Sequence, residues 1–115
     1  MAQVTEYGYE TLRNFIETSW KYIELQNDKN AKIIRLGVGD ARVNWKHTDG
    51  ERTLKLEIKI TGKDITLPAT IAKIAIFDVA TGGTVIASSL VEVTTLTQAI
   101  DELTVTASIQ VPSLA

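Results

Sequence analysis

"TLKLEIKI" (residues 53–60) alternates apolar and polar side chains at every position. A strand has a side-chain period of two, so Leu54, Leu56, Ile58 and Ile60 share one face and Lys55, Glu57 and Lys59 the other. One apolar and one charged face is the signature of an antiparallel sheet covered on one side only. Just upstream, "ARVNWKH" (41–47) places Val43 and Trp45 on one face, and "TDG" (48–50) is the clearest short hairpin signal in the chain. Asp-Gly accepts the positive φ angles that tight hairpin turns need. The two stretches on either side of it should therefore pair.

Further out, the same rhythm recurs. "WKYIEL" (20–25) and "AKIIRLG" (31–37) flank the turn cluster "QNDKN" and form a second expected hairpin. "TGKD" (61–64) turns the chain, and Pro68 interrupts any strand through "ITLPAT". "IAKIAIFDVA" (71–80) changes parity between Ile76 and Phe77, which suggests a bulge or a strand buried on both faces. "TGG" (81–83) leads to "TVIASSLVEV" (84–93). "TTLTQAIDE" (94–102) is read as a short helical turn or a loop, before "LTVTASIQV" (103–111) and Pro112. Only residues 5–18 carry helical spacing, with Thr5 as cap, Glu6 in the first turn, and Tyr9, Leu12, Phe15 and Ile16 as a core-facing stripe. This helix either plugs one end of a sandwich or docks on a partner.

These elements predict a mainly β single domain over residues 1–115. It is an antiparallel β-sandwich or small barrel of about seven or eight strands over 20–111, with one N-terminal α-helix at 5–18. At 115 residues the chain is long enough for an unstapled core, and its lack of cysteine excludes disulfides and thiolate metal sites. The N-terminus has neither the basic start nor the apolar core of a secretory signal, and no apolar run approaches the ~20 residues that span a bilayer.

Charge is distributed unevenly. All twelve Lys and Arg lie at or before Lys73, against ten acidic residues there. From Ile74 onward only Asp78, Glu92, Asp101 and Glu102 are charged. Such a surface suits a protein–protein contact, because desolvating charges is costly. It is equally what buried strands with Thr on their outer faces would give.

Chemistry has little foothold. His47 is the only histidine, too few for a self-contained zinc site. Asn27, Asp28 and Asn30, or Asp49 and Glu51, could offer oxygens to calcium, but their composition reads first as hairpin turns. There is no G-x-S-x-G elbow, phosphate loop or dinucleotide fingerprint. Carboxylates such as Glu24, Glu57 and Glu92 are of the kind that pair by chance in any small β-protein. Lys46, Lys55, Lys59, Trp45 and Tyr22 could make a nucleic-acid patch, yet Glu57 interrupts the lysines and the pI is about 5.3. The expectation is a non-enzyme with no cofactor, metal, nucleic acid or membrane partner.

The run "TLRNFIETSWKYIEL", followed by "IIRLG", "TLKLEIKITG", "ITLP" and "IAIFDVATGG", resembles small virion structural proteins of tailed bacteriophages, the short cysteine-free β-sandwiches that decorate heads or build tail and fibre-attachment parts. The resemblance implies an assembly protein located in the virion, assembled in the host cytoplasm. It would bind capsid or tail proteins and itself in many copies. The contact residues expected from the chain itself are Tyr7 and Tyr9 on an N-terminal arm, which also carries Phe15 and Trp20, and the uncharged outward positions Thr104, Thr106, Ser108 and Gln110 of the last strand. The alternative is a carbohydrate- or host-surface-binding sandwich stacking sugars on Trp20 and Trp45.

Overall fold

The computed structural model describes residues 5–46 and 53–110. Helix α1 (Glu6–Ser19) is capped by Thr5, whose Oγ1 accepts the Gly8 N–H at 3.1 Å. It ends where the Trp20 N–H returns to the Ile16 carbonyl. Seven strands follow: β1 (Tyr22–Gln26), β2 (Lys32–Gly37), β3 (Val43–Lys46), β4 (Thr53–Thr61), β5 (Ala69–Phe77), β6 (Ala87–Leu96) and β7 (Glu102–Gln110). They form two antiparallel sheets, ordered β2-β1-β5-β6 and β3-β4-β7. This is the expected β-sandwich.

The alternation of "TLKLEIKI" is realised without a slip. Leu54, Leu56, Ile58 and Ile60 are buried while Lys55 and Lys59 are exposed. β4 sits at the centre of its sheet, and its register with β7 runs unbroken from Thr53↔Gln110 to Thr61↔Glu102. Its inward face meets Ile23, Leu25, Ile71, Ile74 and Ile76 of the opposite sheet in one apolar core. Each such side chain contributes about 1.5–3 kcal/mol by leaving water.

The β1–β2 and β3–β4 hairpins form as expected, though the "TDG" turn itself lies outside the described residues. β1 begins two residues later than "WKYIEL" suggested, because Trp20 is spent on closing the helix. β5 begins immediately after Pro68. Its parity does change, but earlier than expected. Pairing with β6 slips between Ile71 and Lys73, so Ile71 faces the core before the slip and Ile74 and Ile76 after it. The strand is also buried on both faces, since Ala75 and Phe77, facing away from the core, are covered.

β6 starts at Ala87 rather than residue 84 and takes in residues 94–96, so the short helical turn considered for 94–102 does not form. A tight link remains instead. The Asp101 carboxylate accepts the Thr97 and Gln98 N–H groups, both at 3.0 Å, which lowers its pKa. Gly62, in the 3₁₀ turn Gly62–Asp64, packs against this link and donates its N–H to the Asp101 carbonyl. A Cβ on Gly62 would collide with the Gln98 carbonyl.

Helix α1 closes one end of the sandwich. Tyr9 and Ile16 join Leu54 in a second cluster, with Trp20, Trp45 and Ile109 packed around it. The buried stripe is Tyr9, Arg13 and Ile16, rotated from the expected one, and Leu12 and Phe15 face outward. Arg13 takes the place foreseen for an apolar residue, with Glu6 at 3.7 Å.

Candidate interaction surface

The two sheets leave two sides where edge strands face solvent, and the chain treats them differently. One side carries β2 and β3, joined by a five-residue arch, 38–42. That arch is tied down by Arg42. Its guanidinium donates to both Asp40 oxygens at 2.9 and 2.8 Å, and to Asp64 Oδ1 at 2.7 Å. Side-chain and backbone hydrogen bonds from Arg42 hold the Asp40 carboxyl down at about 2. Asp64 is lowered too, first by the Thr61 N–H and then by the charge of Arg42.

The outer face of the β2-β1-β5-β6 sheet is locked on the same side. Arg35 Nε donates to Glu24 Oε1 at 2.9 Å, with both side chains almost wholly buried. Gln26 Nε2 donates to the other Glu24 oxygen. The guanidinium lies 3.6 Å from the Phe77 ring centroid and donates to the carbonyls of Val79 and Gly82. One arginine thus fixes the 78–86 loop over the sheet. That loop turns at Gly82 and Gly83, both at positive φ, where a side chain would be strained.

The other side carries β6 and β7, ten and nine residues long. No described strand pairs with their outer edges. Neither contains Lys, Arg or Pro, the residues that commonly blunt such edges. Leu90 is 82% and Val93 63% exposed on β6. A shallow groove of about 140 Å³ opens between the sheets here, because small residues (Ala87, Ser89 and Ala107) face one another beneath Ile74, Ile76 and Ile109. β6 is interrupted where Val91–Val93 lie between its pairings to Ile71 and Lys73, and such a bulge bends an edge. β7 has no interruption.

The residues expected to make contacts divide accordingly. Thr104, Thr106 and Ser108 are exposed together along β7, opposite Lys59, Glu57 and Lys55 of β4. The side chain of Gln110 lies outside the described residues. Tyr7 is exposed on the helix, but Tyr9 is only 1% exposed and belongs to the helix–sheet cluster. Tyr9 is therefore corrected from contact residue to core residue. Of the aromatic arm, Tyr7 and Phe15 remain at the surface, while Trp20 packs inward. The signal missed in the sequence was β6, where Leu90 and Val93 were read simply as strand residues.

The other chemistries considered find no assembled site among the described residues. Among the described residues no group of three His, Asp or Glu side chains could hold a metal. Asn27 Oδ1 is taken up by the Lys29 and Ala31 N–H groups, and Asn30 Oδ1 accepts from Lys73. His47, Asp49 and Glu51 lie outside the described residues. Trp20 and Trp45 are half-buried and pack against the core. Two of the three lysines considered for nucleic acid share one carboxylate. Lys46 sits 3.1 Å and Lys59 3.6 Å from Glu57, whose pKa falls chiefly through the Lys46 bond. No helix among the described residues is long and apolar enough to cross a membrane.

Against family models, curated proteins and solved structures, the chain finds no match.

Proposed function

We propose that this chain is a non-enzymatic assembly protein, a structural component of a tailed-phage virion that self-associates and binds capsid or tail proteins through its β6/β7 side. The observation that carries the reading is that side itself. Two long edge strands stand without a basic residue or proline, with Leu90 and Val93 in solvent between them. An unprotected edge is a template for another chain, and proteins that do not use it normally blunt it. The phage assignment rests on the sequence resemblance, and the surface gives it a means of assembly.

The test is to purify tailed-phage particles from cells that produce the protein and probe them by mass spectrometry, alongside light scattering of the isolated chain. Stoichiometric presence in particles with a discrete oligomer is expected. A chain that stays monomeric across micromolar concentrations and never enters particles overturns the reading.

A further inference from the structure

We infer that β7 pairs with β7 of a second copy, antiparallel and centred on Thr106, so that the two three-stranded sheets become one sheet of six. This rests on the proposed assembly role and names its first partner. Of the four edges among the described strands, β7 alone is long, unbroken and free of basic residues. β3 carries Lys46, β2 carries Lys32 and Arg35, and β6 is bulged.

The charge pattern is self-complementary in this register. With Thr106 on the two-fold axis, Thr104 faces the partner's Ser108 and Glu102 faces the partner's Gln110. No like charges are opposed, the arrangement that destabilises cross-strand pairs. The charged row of β4 comes next. Lys59, Glu57 and Lys55 lie beside Thr104, Thr106 and Ser108, so the lysines of the two copies are separated by three strand spacings, about 14 Å. That exceeds the screening length of ~8 Å at physiological salt. A two-fold contact is also the commonest symmetry for a self-complementary patch. The added strand takes the fourth position that the smaller sheet lacks relative to its neighbour, beside the second groove, of about 320 Å³, between Leu90–Thr94 and Leu103–Thr106.

The test uses sedimentation equilibrium of the full chain and of T106K, which sets two lysines against each other on the axis. The wild-type chain should run at twice 12.6 kDa at tens of micromolar, and T106K should weaken the dimer at least tenfold with an unchanged thermal midpoint. N44K, on the exposed face of β3, should leave the mass unchanged. Because the chain has no cysteine, a single spin label on T106C reports the axis directly. Strong dipolar broadening is expected there and none on N44C. A wild-type monomer at 300 µM, or a dimer indifferent to T106K without broadening at T106C, overturns the proposal. A monomer that still enters particles removes this pairing and spares the assembly role. A dimer never found in particles does the reverse.

Discussion

The β2/β3 side and the β6/β7 side of this sandwich are built from the same backbone geometry and finished in opposite ways. On the first, two arginines tie loops to the sheets. Arg42 joins Asp40 to Asp64, and Arg35 joins Glu24 to the 78–86 loop. On the second, long strands carry Ser, Thr and exposed apolar residues, and the facing side chains are too small to fill the space between sheets. The difference teaches that closing an edge takes charge and packing together. Where both are withheld over nine or ten residues, the strand remains available to another chain.

The largest expected effect breaks the closed side. Arg35→Ala would take away the buried partner of Glu24, leaving only Gln26 beside it, and should cost about 3–5 kcal/mol in denaturant unfolding. The pair variant Glu24→Gln, Arg35→Met should recover most of that loss, since replacing both members of a buried pair is often near neutral. Equal instability of the two variants would show that the loop anchoring at Val79 and Gly82, rather than the charge, is what Arg35 supplies.

Next comes Gly62→Ala, which tests how the open side is held at its base. The new methyl meets the Gln98 carbonyl, and displacing the β6–β7 link should cost about 1–3 kcal/mol, read as a lower thermal midpoint. A neutral result would mean that the link shifts freely and does not fix β7.

Acid acts on the arch through Asp40 and Asp64, and on the β6–β7 link through Asp101. Asp40 and Asp64 have folded pKa values below their ordinary ones. Their contribution is therefore complete above the unfolded value near 4 and is lost as pH falls through the folded value, about 2 for Asp40. The thermal midpoint should drop between pH 4 and 2 in the wild type and less steeply in Arg42→Ala. Parallel profiles would remove the arch from the acid response.

The smallest effect on stability belongs to the open side. Leu90→Ser, at a side chain 82% exposed, should change unfolding by under about 0.5 kcal/mol while reducing association in light scattering. A loss of stability instead would make Leu90 part of the fold.

Much of this architecture was legible locally. Period two across 53–60, turn residues at 26–30, 61–64 and 81–83, and Pro68 at a strand boundary all act within a few residues. The helix was legible in extent but not in face. Arg13 is buried because Leu54, Trp45 and Ile109 come to that end of the sandwich from distant parts of the chain, which no helical period can report. The contact surface was half legible. The uncharged row Thr104, Thr106 and Ser108 could be read from alternation; for Tyr9 the helical stripe gave the buried position, and only its reading as a contact residue fails.

The sequence alone therefore determined which stretches are strands, which of their faces are apolar, and that basic charge ends at Lys73, because periodicity and composition are properties of neighbouring residues. The tertiary structure decided strand order, and with it everything about edges. Only the pairing of β1 with β5 and of β4 with β7, across long stretches of chain, places β5 and β4 inside their sheets. The same pairings leave β6 and the regular β7 at the margin. A strand's hydrogen-bonding edge is hidden or free according to what lies beside it, and its own residues do not encode that neighbour.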